Sequence, residues 1–200
     1  MGRSKLRFRQ PRPSARGALP PGWQLGKLWF DERRPLLHFV VKFLVVLAFL
    51  TAFSLTPLYQ HILPGYLDTT ARLTNTFLHI LGEDTHLAGA SIWSQKYSVT
   101  VTPDCSALEF SWFLVAALLV FPARWHWKIA GIASGIAMLA VLNVLRVATL
   151  YLIGIRALTL FDLVHEDVWP VLLIMTTLVF LAAWIGWTEY RNGSEDHASA

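Results

Sequence analysis

The sequence predicts an all-α integral membrane protein with about four transmembrane helices, an outer-face amphipathic helix and a short hairpin. Three observations lead there. Of its 200 residues 54% are hydrophobic and only 15% charged, against about 25% charged in soluble domains. The apolar residues gather into four runs near the length of about 20 residues needed to cross a bilayer. Nine Trp in so short a chain suit the aromatic belts of membrane interfaces. The single cysteine excludes an intramolecular disulfide, and with it a redox protein working through its own Cys pair. The net charge of +4 is no sign of nucleic-acid binding, because the charge is concentrated at one end.

That end is residues 1–35, which hold nine of the seventeen Lys and Arg. Pro11, Pro13, Pro20 and Pro21 break the stretch, so it reads as a cytoplasmic tail without a core, in contact with anionic headgroups. The apolar run after it lacks a small-x-small cleavage site, which predicts an uncleaved anchor. Residues 36–187 are the membrane domain. Leu36 to Leu55 is the first span, with Lys42 able to snorkel back to the basic side and Pro57 ending the helix.

Residues 58–104 are the longest non-spanning region. Leu67, Ala71, Leu78 and Leu81, mixed with Asp68, Arg72 and Asn75, predict an interfacial amphipathic helix ending at Gly82. Ile92, Tyr97, Val99 and Val101 around Gln95-Lys96 predict a hairpin over 91–102. His61, His79 and His86 fall here without the spacing of metal ligands, and no metal site is expected.

Ser106 to Phe121 reads as the second span. Ser106 and Glu109 have the spacing of a capping box, and Thr102-Pro103 offers a second helix start. Either start puts Cys105 at a helix N-terminus, where the dipole favours a thiolate. Pro122 to Lys128 is a tight basic connection. Ile129 to Ile153 is the third span, interrupted by Asn143 and Arg146. Gly154 to Asp167 is a polar connector carrying His165, Val168 to Trp187 is the fourth span, and 188–200 is a cytoplasmic tail.

Four spans place both termini on one side, and the basic residues of the tail with Arg124, Lys128 and Arg191 make that side cytoplasmic. Cys105, Arg146 and His165 then meet at the outer surface. Arg146 lies about 10 Å deep at about 1.5 Å per residue, and an arginine at such depth marks a functional site or a buried ion pair. Asn143, three residues earlier, is placed to steady the guanidinium. Glu109, four residues past the cysteine, is the expected partner of Arg146.

Cys105-Ser106-Ala107, then Asn143-Val144-Leu145-Arg146, then His165 before the last helix, resemble the exosortase and archaeosortase family in order and in place. The likeness covers about 105–187, and the chain is similar to a compact form of the exosortase H type. The resemblance implies a cysteine transpeptidase of the bacterial cytoplasmic membrane, working on its outer face without a cofactor. Its implied substrates are secreted proteins with a C-terminal sorting signal, which it cleaves and transfers through a thioester to a cell-envelope acceptor. Cys105 would be nucleophile, His165 acid and base, and Arg146 the oxyanion's partner. Two other readings stand beside it: a scaffold held by a structural Glu109–Arg146 pair, and a metal or ion transporter.

Overall fold

A computed structural model describes residues 22–103 and 106–198, with side chains from Arg34, excepting Pro35, to Arg191. The arginines and lysines before Gly22, and Asp104 and Cys105, lie outside the described residues. The chain divides into residues 1–38 and 39–200. Helix α1, Gly22–Phe53, starts well before the expected Leu36 and so takes in part of the expected tail. Its apolar window Leu36–Phe53 has no buried residue. Val45 and Phe49 stand in the open, as lipid-facing side chains do.

Thr56 caps the next helix, α2 (Pro57–Ile80), by accepting from the Tyr59 amide, with Pro57 at the first helical position. The predicted amphipathic pattern is real. Leu63, Leu67, Thr70, Ala71, Thr74 and Leu78 form one buried stripe. The helix ends as expected at Gly82, whose φ of +86° suits a residue without a side chain. The predicted hairpin is the second half of a three-stranded antiparallel sheet in the order β1-β2-β3 (His86–Ala88, Ser91–Trp93, Ser98–Thr100). Ile92 pairs with Leu87 on one side and Val99 on the other, and is wholly buried against α2.

Helix α3, Leu108–Val120, is where the four-span expectation changes. Its 13 residues reach about 20 Å at about 1.5 Å each, short of a hydrocarbon core of about 30 Å. Pro122 forces Phe121 into an extended conformation and stops it. Lys128 Nζ then donates to Leu119 O at 2.6 Å, satisfying one of the carbonyls left at the helix end.

Helix α4 (Trp125–Arg156) is the central element. Its first half packs Leu139 with Leu114 and Leu118 of α3 and with Leu173 and Trp184 of the last helix. Its second half packs Val147, Ala148 and Tyr151 against α2 and the sheet. Gly131 and Gly135 let it come close, since a Cβ would collide with the Trp184 indole at one and with Leu114 at the other. Asn143 and Arg146 lie between the two cores.

The polar connector expected over 154–167 is almost entirely helical. α4 runs to Arg156, a 3₁₀ turn covers Leu158–Leu160, and a π-helical stretch covers Leu163–Val168. It feeds straight into α5, Trp169–Ala198, so the expected tail from 188 is helical through Ala198. Among the described residues α1, α4 and the continuous stretch Leu158–Arg191 are the three segments long and apolar enough to cross a membrane. The chain is thus an all-α membrane protein by its spans, with a small sheet beside them.

Candidate active site

Arg146 is 4% exposed on α4, ten residues from the end at Arg156 rather than seven, because α4 outlasts Ile153. Its Nη2 lies 3.5 Å from Nδ1 of His165 and 3.5 Å from the His165 carbonyl oxygen. Two of the sequence-predicted residues therefore meet. The guanidinium can only donate, so in this contact Nδ1 accepts, and the neutral ring carries its proton on Nε2.

Three features hold His165 there. The π-helical stretch adds a residue to its turn, a local rearrangement frequent at functional sites. Phe161, one helical turn earlier, stacks on the imidazole with 5.7 Å between centroids and 27° between planes. Trp169, one turn later, donates from Nε1 to Thr149 Oγ1 at 3.0 Å. That hydroxyl in turn donates to the Arg146 carbonyl at 2.9 Å, so the start of α5 is tied to the turn of α4 that carries Arg146. Tyr97, from the loop before β3, packs on Phe161 at 6.3 Å and over Gly154, where any side chain would meet its ring. Phe161, Trp169 and Thr149 escaped the sequence reading. Phe161 and His165 at i, i+4 was the available signal, hidden by reading the segment as a loop.

Glu109 does not pair with Arg146. α3 packs Ala107, Leu114 and Leu118 into one core, and Glu109, about half a turn round the helix from Ala107 and Leu118, is exposed. It lies instead beside Tyr59 of α2: burial, and then the Glu109 carboxylate, push the Tyr59 phenol above its usual 10.0. The scaffold reading loses the ion pair on which it stood.

The capping box is also not formed. The N-cap of α3 is Ala107, and no side chain caps it. Ser106 is buried, and both its amide and its hydroxyl donate to Pro103 O, at 3.0 and 2.5 Å. Described helix begins at Leu108, three residues past Cys105, and Cys105 itself lies outside the described residues. Asn143 is fully buried, yet it makes no bond to the guanidinium. Neither its Oδ1 nor its Nδ2 has a hydrogen-bond partner, a state that costs about 1–3 kcal/mol for a group so placed.

Residues 11–183 match the transmembrane exosortase family of the EpsH type. The chain belongs to that family. The match covers most of the chain, well beyond the 105–187 that carry the ordered Cys, Arg and His. No curated protein and no solved structure gave a significant match. As an exosortase the chain sits in a family of membrane transpeptidase type, and its helices are those of a membrane protein.

Proposed function

We propose that this exosortase is a membrane-embedded cysteine transpeptidase that cleaves C-terminal sorting signals of secreted proteins and transfers them to a cell-envelope acceptor. The observation that carries the reading is the contact between the buried Arg146 and the half-buried His165 in a chain of this family. A cation kept beside an imidazole at such depth is expensive, and chemistry is the default reason to keep it. The basic-residue asymmetry of the sequence favours the outer face of the cytoplasmic membrane.

In this reading Cys105 is the nucleophile. Arg146 turns from His165 Nδ1 towards the sulfur as the thiolate forms, and Nδ1 takes the thiol proton. The thiolate attacks the scissile carbonyl, the C–N bond breaks, and the imidazolium returns its proton to the leaving amine. A thioester remains, and the acceptor nucleophile resolves it. Arg146 meets the negative charge on oxygen in each tetrahedral state, where a low-dielectric site strengthens the interaction. Ser106 and Asn143 serve as supports. Ser106 holds the chain just after the nucleophile by its bonds to Pro103, and Asn143 lies one helical turn before Arg146 on α4 with its buried amide unbonded.

The experiment is processing of a co-expressed secreted protein bearing a candidate signal. Cys105→Ser is expected to leave the enzyme at its normal level and the substrate uncut. Full processing by that variant would refute the proposal.

A further inference from the structure

We propose that Glu109 is the counter-ion in a binding site for a lipid with a primary ammonium headgroup. Two hollows meet at this residue. The larger, about 800 Å³, lies between α1, α2 and the start of α3 and takes in Thr51, Tyr59, Gln60, Ser106, Glu109 and Trp112. The smaller, about 420 Å³, is lined by Leu47, Phe110, Phe113, Ile174 and Leu178 beside Glu109 and Thr177. The α3 spacing explains the junction. Leu108 and Trp112 share the face towards the first hollow, Phe113 faces the second, and Glu109 borders both.

The carboxylate stands in an unusual place. Residues 47–52 of α1, which border both hollows, belong to that helix's membrane-crossing window. A carboxylate at this level needs a cation, donors or a proton. Glu109 has no salt bridge or side-chain hydrogen bond among the described residues. Beside it Phe53, Tyr59 and Trp112 form an aromatic trio with centroids 6.1–6.3 Å apart, which offers ring faces to a cation. Gln60 gives its amide N–H to Ser54 O, leaving its carbonyl to accept. With the Glu109 carboxylate and the Ser106 hydroxyl oxygen, that makes several acceptors for the three N–H donors of a primary ammonium.

The second hollow decides between a lipid and a basic peptide. It is apolar but for Glu109 and Thr177, and it shares Glu109 with the first. An extended peptide would leave backbone N–H and C=O groups unpaired against such a lining, whereas an acyl chain has none to satisfy. Headgroup in the larger hollow and chain in the smaller match the two ends of an amphiphile.

The test uses the full chain in phosphatidylcholine nanodiscs, with bound lipid read by native mass spectrometry. Added phosphatidylethanolamine should be retained, and its N-acylated form, which lacks the charge, should not. Glu109→Gln should weaken retention by about tenfold or more, the loss expected for one hydrogen bond to a charged group. Trp112→Leu should weaken it as well, and the headgroup comparison on the parent protein needs no variant at all. Equal retention of the charged and N-acylated lipids would overturn the proposal. So would retention unchanged in Glu109→Gln, or binding of a lysine-bearing apolar peptide where the aminolipid does not bind. Binding is read without turnover, so the result stands apart from the transpeptidase reading.

Discussion

Arg146 and His165 face each other across the α4–α5 junction, 3.5 Å from Nη2 to Nδ1, with the same guanidinium nitrogen 3.5 Å from the His165 carbonyl. Both contacts are long for hydrogen bonds. Contacts of this length leave the guanidinium room to tighten on oxygen as charge develops, which is what an oxyanion partner must do. Arg146→Lys keeps the charge and loses the planar fork. Processing is expected to fall by about 10²-fold or more, the effect of one lost oxyanion donor, at an unchanged melting temperature. Near-parental rates in this variant would make Arg146 structural.

The absence of a Glu109–Arg146 pair has its own consequence. Glu109→Gln and Arg146→Gln should act independently on stability. Their double-variant cycle should close to within about 0.5 kcal/mol, as it does for residues without contact. Thermal melting of the four proteins in detergent measures it. A larger favourable coupling would restore the ion pair expected from the sequence.

Phe161 positions His165 by stacking on its ring. Phe161→Leu keeps the bulk and removes the aromatic face, an interaction worth about 0.5–1.5 kcal/mol. Processing is expected to slow by about two- to tenfold, while Phe161→Tyr keeps the parental rate. Equal rates in the Leu and Tyr variants would show that the stack does not matter.

Close packing at Gly131 should be intolerant. A side chain there meets the Trp184 indole, whose Nε1 donates to Trp127 O at 3.3 Å and is held in place. Gly131→Val is expected to cost about 1–3 kcal/mol of stability, as overpacked cores do. The readout is a lowered melting temperature, with Gly186→Val as the control because nothing lies near that position.

Much of this was legible in the sequence, for reasons that can be named. The amphipathic stripe of α2 and its stop at Gly82 follow from helical periodicity and from glycine's tolerance of positive φ. Arg146 stood out because ionisable groups are rare in apolar helices, and His165 because it falls just before the last span, on the side where Cys105 opens its helix. What stayed hidden depended on direction and on competition between partners. Glu109 looked well placed for Arg146 by spacing along the chain, but spacing does not say which face of α3 turns inward, and Ala107, Leu114 and Leu118 decide that. Ser106 had a capping box to join and bonded Pro103 O instead. The segment 154–167 looked polar enough for a loop, yet Phe161 and Trp169 pack it as helix on either side of His165.

Orientation in the membrane rests on where the basic residues lie. In a Cys105→Ser background, His86→Cys is expected to react with an impermeant maleimide added to intact cells, and His126→Cys only after lysis. Labelling of position 126 from outside would turn the protein over and move the proposed chemistry indoors.

The central claim is that Cys105 carries the substrate as a thioester beside Arg146 and His165. Acid quenching of the full-length enzyme during turnover of a co-expressed substrate, followed by intact mass measurement, tests it most directly. An adduct equal to the substrate's N-terminal cleavage product is expected, released by neutral hydroxylamine and absent from Cys105→Ser. Cleaved substrate with no such adduct, or an adduct that persists in Cys105→Ser, would contradict it.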